Sequence, residues 1–149
     1  MSEDYAGFVT RAIAFAVDVA LVDLAAVIVA IVVGLGVSAF NVSDVVLTIT
    51  IAVGGLAYLA WFMGYFAMFW STTGQTPGAR LMGVRVVCAG GGEPVRLRAA
   101  IVRLVGMALA ALPLFAGFLL ILVDDRRRGL QDRLARTVVV YASDVRRVN

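Results

Sequence analysis

Histidine and lysine are both absent from this chain of 149 residues, and cysteine occurs once, at Cys88. Without histidine the chain has no imidazole to act as a general base, to activate a nucleophile, or to bind zinc, iron or copper. A single cysteine forms neither a disulfide within the chain nor a thiolate metal cluster. These absences argue against most hydrolytic chemistry, so we expect no enzyme, no metal site and no cofactor.

Charged residues are also scarce, at 15% of the chain, whereas hydrophobic residues make up 62%. Soluble domains carry about a quarter charged residues and about half apolar ones. The apolar excess lies in long blocks, so the composition predicts one membrane domain over residues 1–149. All 13 basic residues are arginine. In a membrane chain, arginine clusters indicate the cytoplasmic side and anionic lipid headgroups rather than nucleic acid.

Two apolar segments predict transmembrane helices. Residues 12–37, Ala12 to Val37, are long enough at about 1.5 Å per residue to cross a hydrocarbon core of about 30 Å. A signal peptide is the alternative for this segment, but the acidic start of the chain and Asp18 within the segment argue against it. The second segment, residues 45–70, contains no charge. Its second half is rich in aromatic residues, for which we favour packing against a helix or lipid over ligand stacking.

The distribution of arginine predicts the orientation of these helices. The link between them, residues 38–44, has no arginine, whereas residues 71–98 contain four. By the positive-inside rule residues 71–98 are cytoplasmic, and the N-terminus is cytoplasmic with Arg11 at its membrane edge.

A third apolar segment, residues 99–123, conflicts with this rule if it crosses once. A single crossing would place the arginine-rich tail, residues 124–149, outside. Pro113 interrupts the segment, and proline breaks a helix because it lacks the N–H and clashes with the preceding turn. We therefore favour a re-entrant hairpin of two half-helices, residues 99–112 and 114–123, over a third full span.

Two runs of β-branched residues predict strands, one at Gly83–Val87 and one at Thr137–Tyr141. Two isolated strands are stable only when paired, and pairing requires both on one side of the membrane. The predicted fold is therefore an all-α membrane protein with two transmembrane helices, a proline-broken re-entrant hairpin and a small cytoplasmic β-pair.

Asp18 is the first candidate functional residue, because a carboxylate inside a membrane helix costs about 2.5 to 3.5 kcal/mol at the helix centre. It lies on the same helix face as Arg11, seven residues earlier. One interpretation is a structural acid paired with Arg103 or with an arginine of the C-terminal segment. The other is a proton- or cation-binding carboxylate. Asp23 lies nearer the bilayer middle, and we expect it to face the hairpin or another protein.

Residues 128–136 predict a short cytoplasmic helix in which Asp132 and Arg136 are four residues apart and pair weakly. The sharper hypothesis is that Asp132 reaches Arg11 or Arg103 and joins the C-terminal segment to the first helix. Arg11, Asp18, Asp132 and Arg103 thus form the candidate polar cluster, with Asp23 and Arg136 secondary. Upstream, Thr76 followed by Pro77 predicts a capped helix start.

Several short motifs follow one another along the chain. They are Gly7-Phe8, Arg11, Ala14 and Asp18; Thr76-Pro77-Gly78, Arg80, Gly83 and Arg85-Val86-Val87; Arg103; and Arg128-Gly129-Leu130-Gln131-Asp132, Ala135 and Thr137-Val138-Val139-Val140. In order and spacing these motifs resemble those of the RDD family of small bacterial membrane proteins. The resemblance extends from Gly7 to Tyr141. The arginine and two aspartates that give the family its name correspond to Arg11, Asp18 and Asp132. At position 80 this chain has arginine, whereas lysine is common at the corresponding position of the family.

The resemblance implies a multi-pass protein of the bacterial cytoplasmic membrane and transport of ions or other ligands. We therefore expect proton- or cation-coupled transport through a buried aspartate, in a homo-oligomer because so few spans scarcely enclose a pathway. The alternative is a non-catalytic accessory or assembly subunit of a larger membrane complex. A small-residue stripe at Ala26, Ala30 and Gly34 supports helix association in either case. Expected partners are the bilayer, anionic lipids on the cytoplasmic face, and further copies or other membrane subunits.

Overall fold

The computed structural model describes residues 5–40, 42–89, 95–111, 121–122, 124 and 126–143. Helices and strands within them follow in the order α1 (Phe8–Ala39), α2 (Asp44–Thr72), α3 (Pro77–Leu81), β1 (Val84–Cys88), α4 (Leu97–Ala111), α5 (Leu130–Ala135) and β2 (Thr137–Tyr141). The chain divides into two compact units. We call residues 19–65 the apolar unit, and the remainder, up to residue 18 and from residue 66 onward, the polar unit.

The apolar unit consists of the greater parts of α1 and α2. Both helices are long and apolar enough to cross a membrane, and they contain the predicted spans 12–37 and 45–70. Large apolar side chains of the unit are widely exposed; Leu35 and Leu56, for example, are 68% and 69% accessible. Continuous apolar surface of this extent is unfavourable in water. It is the surface expected of a membrane protein.

The two predicted strands are confirmed as an antiparallel pair, with Val84 opposite Tyr141 and Cys88 opposite Thr137. β1 begins one residue later than predicted because Gly83, with φ of +64°, belongs to the preceding turn. The segment before α1 also joins β2, which no sequence pattern predicts. Tyr5 forms a β-bridge with Val140, so the segment leading into α1 is fixed to the sheet.

α3 begins where the capping pattern predicts. Pro77 occupies its first turn, and the Thr76 hydroxyl accepts a hydrogen bond from the Ala79 N–H at 3.2 Å. The turn before α3 lies against β1, since Val86 N–H donates to the Gly74 carbonyl at 2.8 Å. Gly74 has φ of +70°, and a Cβ there would lie 2.6 Å from the Val86 carbonyl oxygen. Glycine is therefore required at this position.

α4 covers the first predicted half-helix of the third apolar segment, and α5 falls inside the predicted helix 128–136. The two helices approach closely at Gly106, where a Cβ would lie 2.8 Å from the Gln131 Cα. Residues 112–120, which include the hairpin turn predicted at Pro113, lie outside the described residues. The segments flanking α4 and α5 meet at the sheet, where Ala89 N–H donates to the Arg136 carbonyl at 3.0 Å.

Candidate functional site

The first turns of α1 present one face to the rest of the polar unit. Arg11, Ala14 and Asp18 recur at intervals of three and four residues, which places them on that face. Ala14 and Asp18 are buried. The position of this face is fixed at the chain start, because the Arg11 Nε donates to the Ala6 carbonyl at 3.0 Å and Ala6 N–H donates to the Val139 carbonyl.

Asp132 is the centre of a buried ion-pair cluster with Arg11 and Arg103, which we call the Asp132 cluster. Its carboxylate is fully buried and accepts from Arg11 Nη1 at 2.6 Å and from Arg103 Nη1. The Gly129 N–H, just before α5, donates to the same carboxylate at 3.1 Å. The structure thus brings together both arginines that the sequence analysis offered as alternatives. The cluster joins α1, α4 and α5.

Arg103 has two further contacts that hold its guanidinium in place. Its Nη1 donates to the Thr137 hydroxyl at 2.9 Å, at the start of β2. The guanidinium carbon lies 4.8 Å from the ring centroid of Trp70, within the range of a cation–π interaction. Thr137 and Trp70 were not predicted as site residues. Thr137 begins a valine-rich strand and Trp70 ends a run of aromatic residues, so the sequence pattern gives no sign that either contacts an arginine.

Asp18 is held by the start of α3, whereas one interpretation of the sequence paired it with Arg103 or with an arginine of the C-terminal segment. The Thr76 hydroxyl donates to one carboxylate oxygen, and the Gly78 N–H donates to the other at 2.7 Å. The hydrogen bonds of Arg103 go instead to Asp132 and Thr137. The physical reason is the close approach of α3 to α1, which puts a hydroxyl and a backbone N–H within reach of Asp18.

Gly78 makes that approach possible. A Cβ at Gly78 would lie 2.1 Å from the Ala14 carbonyl oxygen and 2.9 Å from the Asp18 carboxylate. Both distances are too short for any side chain. The absence of a side chain therefore allows α3 to lie directly against the backbone of α1 and to bond Asp18.

A cavity of about 320 Å³ lies within the polar unit beside these groups. Arg11, Arg103, Asp18 and Gln131 contribute to its lining, while most of the wall is apolar and includes Phe66. The size is at the lower end of small-molecule pockets, which are largely apolar with a few placed polar groups. The described residues hold no cluster of acidic or sulfur-bearing side chains fit for a metal ion.

Three polar atoms of the cavity-lining residues are buried without a hydrogen-bond partner within the part of the chain that the structure describes. They are Arg11 Nη2, Arg103 Nε and Gln131 Oε1. Buried polar groups are nearly always satisfied, and an unpaired donor on a charged group is especially unfavourable. The residues that carry these atoms line the cavity, so a ligand or a water that enters between their side chains would meet two unsatisfied donors and one unsatisfied acceptor.

Asp23 and Arg136, the secondary candidates, each have an environment of their own. In the apolar unit the Tyr58 hydroxyl donates to Asp23 at 2.6 Å. The expectation that Asp23 needs the hairpin or another protein overlooked a tyrosine on the second span. Arg136 is exposed in a left-handed conformation with φ of +53° that ends α5. The weak pairing with Asp132 was the alternative to a contact with Arg11 or Arg103, and the ion pairs that Asp132 forms are with those two arginines.

A second ionic group surrounds Asp124 at the edge of the polar unit. Arg128 Nε donates to Asp124 at 3.0 Å and Arg133 Nη2 donates to it at 2.6 Å. These hydrogen bonds, chiefly that of Arg128, hold the pKa of the Asp124 carboxyl well below its ordinary value, and the same contact raises the pKa of Arg128. Both groups are therefore charged at neutral pH.

Comparison with known proteins gives one family. The model of the RDD family matches residues 5–136. Two relatives from different strains of Mycobacterium tuberculosis, each described as a proline-rich antigen homolog, are 36% identical to this chain over 90 residues. The alignment covers 60% of this chain and 36% of each relative, so the chain spans about a third of the length of these curated relatives. No solved structure matches.

Proposed function

This chain belongs to the RDD family, and we propose that it carries a small ion or ligand across the membrane by way of the cavity in the polar unit. The observation that carries the proposal is the set of three ionisable side chains, Arg11, Asp18 and Arg103, that line one cavity. Arg11 and Asp18 belong to α1, a helix long and apolar enough to span a membrane. Ionisable groups in such a helix are expensive and commonly serve ion or substrate pathways.

Asp18 is the residue we propose for proton or cation coupling. Its carboxylate is 2% accessible and lies at the cavity wall. Thr76 and Gly78 each donate to one oxygen of this carboxylate, so a proton or a cation that binds there must displace a donor of α3 or of the residue that caps it. A change in the charge of Asp18 is thereby linked to the contact between α1 and α3.

Asp18→Asn is expected to abolish ion-coupled flux in vesicles that contain the purified protein. Asparagine keeps the size and one acceptor oxygen but removes the charge, so the fold should survive while coupling is lost. Flux of protons and alkali cations is followed with entrapped indicator dyes. Asp44→Asn, an exposed acid in the first turn of α2, is the control and should leave flux unchanged. Unchanged flux in a folded Asp18→Asn protein would exclude the carrier role.

We further propose that residues 99–123 form a re-entrant hairpin in the bacterial inner membrane, with the N-terminus and both strands in the cytoplasm. The pairing of β1 with β2 supports this, because the chain leaves the sheet before α4 and returns to it after α5. A third full span would separate the two strands by the thickness of the bilayer. The exposed arginines beside the sheet then face anionic lipid headgroups.

A cysteine placed at Asn149 in a Cys88→Ser background tests this topology. We expect a membrane-impermeant maleimide to leave that cysteine unlabelled in intact cells and to label it after the cells are opened. A cysteine placed at Ser38, in the link between α1 and α2, is the matched control and should be labelled in intact cells. Labelling of position 149 from outside would refute the hairpin.

Purification of the protein in mild detergent distinguishes a carrier from an accessory subunit. A carrier with so few spans requires several copies to enclose a pathway, so we propose a homo-oligomer. The protein purified in mild detergent should contain this chain alone, in a fixed multiple. A stoichiometric second membrane protein would instead favour the accessory role.

A further inference from the structure

The lining of the cavity in the polar unit combines charged and aromatic side chains. Arg11 and Arg103 contribute guanidinium groups, and that of Arg103 lies over the Trp70 ring. Aromatic side chains form part of the apolar wall, where Phe15 stacks on Phe66 at 5.5 Å between ring centroids and Phe66 contacts Trp70 at 5.2 Å. The cavity therefore matches a molecule with a charged head and an apolar tail better than a bare ion.

The sign of the head follows from the unpaired atoms. Arg11 Nη2 and Arg103 Nε are donors and never acceptors, so their complement is an oxygen that accepts. The Asp132 cluster contains two guanidinium groups and one carboxylate, which leaves one positive charge in excess. Both arginine side chains are nearly buried, at 11% and 7% accessible. An anionic head would supply the missing charge and the missing acceptors together.

The remaining groups fix the direction in which such a molecule lies. Asp18 is seven residues from Arg11 along α1, about 10 Å at the helical rise, and its negative charge repels an anionic head. The head therefore belongs beside Arg11 and Arg103. The unpaired Gln131 Oε1 at this cavity is an acceptor, suited to a hydroxyl of the head or to a water bound beside it.

We propose that the cavity binds a single-chain amphipathic anion, with its carboxylate or phosphate head on Arg11 and Arg103 and its tail against Phe66 and Trp70. This inference rests on the proposed function in that it names the ligand class of the same cavity. Binding itself requires no transport and is measured without it.

Trp70 provides the direct measurement because it lines the cavity and is one of two tryptophans. The full chain with Trp61→Phe, in a non-ionic maltoside detergent, retains Trp70 as its only tryptophan. Bromine quenches tryptophan fluorescence on contact, so ω-bromoundecanoate should quench Trp70 saturably. The uncharged ω-bromoundecanol has the same tail and should require a concentration about tenfold higher, because charge-assisted hydrogen bonds to the head are lost.

Competition and variants separate the contributions of head and tail. Undecyl phosphate should displace the brominated acid, whereas inorganic phosphate alone should not. Arg103→Gln should remove most of the preference for the acid over the alcohol. Ala79→Leu adds bulk at the cavity wall and should weaken binding of both, while Ala52→Leu, on an exposed face of α2, should change neither.

Equal quenching of Trp70 by the acid and the alcohol in the Trp61→Phe chain would overturn the proposal. Displacement by inorganic phosphate at the concentration at which undecyl phosphate acts would overturn it as well. The first comparison needs no site variant and so does not depend on the folding of Arg103→Gln. If the acid is not preferred while flux still depends on Asp18, the ligand class is wrong and the proposed function stands. If the acid is preferred but no flux occurs, the ligand class stands and the proposed transport function is wrong.

Discussion

Asp132→Ala is expected to destabilise the protein by about 3 to 5 kcal/mol, or to prevent its folding, which is the largest effect expected from replacing any acidic residue that the structure describes. The carboxylate is fully buried and bonds two arginine side chains that are themselves nearly buried. Removing it leaves two like charges facing each other without a counterion, which is far worse than losing one surface ion pair. The free energy of unfolding is measured in mixed micelles of maltoside and dodecyl sulfate with Trp70 fluorescence as the signal.

Asp44→Ala is the control for this loss of charge. Asp44 is exposed in the first turn of α2, where a carboxylate contributes less than about 1 kcal/mol through the helix dipole. The two variants remove the same group from one protein, so their difference measures the effect of burial and pairing. Equal destabilisation by both would show that the Asp132 cluster does not form.

A double-mutant cycle between Arg11 and Asp132 isolates the contact itself. Arg11→Gln and Asp132→Asn each remove one partner with little change in volume, and their combination should cost less than the sum of the two by more than about 1 kcal/mol. The contact joins residues 121 positions apart in the sequence. Additive effects would refute a direct interaction between α1 and α5.

Much of the fold follows from local sequence patterns. The two long helices are predictable because their apolar runs exceed the length of a membrane span. The strands are predictable because valine-rich runs of five residues are bounded by turns, and the start of α3 follows from Thr76 and Pro77. The attachment of Tyr5 to β2 was missed, since a single β-bridge leaves no periodic signal.

The partners of the buried acids are harder to predict, because they depend on helix rotation and on segments far apart in the sequence. Arginine partners for Asp132 are predictable because a buried carboxylate requires a nearby positive charge. The donors to Asp18 are not predictable in this way, because they are a hydroxyl and a backbone N–H located 58 and 60 residues away. The same is true of the Tyr58 hydroxyl that donates to Asp23. Neutral donors satisfy a carboxylate without any charge pattern that the sequence reveals.

Gly78→Ala is expected to be the most disruptive alanine substitution at any glycine that the structure describes. The added methyl would lie 2.1 Å from the Ala14 carbonyl oxygen, which belongs to the backbone and moves only with α1. α3 must therefore shift, and the Thr76 and Gly78 hydrogen bonds to the buried Asp18 are lost together. Loss of several kcal/mol is expected from one buried carboxylate deprived of two donors. Thermal unfolding in detergent, read by loss of the monodisperse peak in size-exclusion chromatography, measures it.

Gly64→Ala is the matched control, because a Cβ at this position of α2 would meet no atom within 4 Å. Alanine there should be neutral or stabilising by up to about 1 kcal/mol, since glycine lowers the stability of a helix interior. The same methyl group is thus expected to have opposite effects at the two positions. If Gly78→Ala were as stable as Gly64→Ala, α3 would not lie against the backbone of α1, and the hydrogen bonds that hold Asp18 at the cavity wall would not exist.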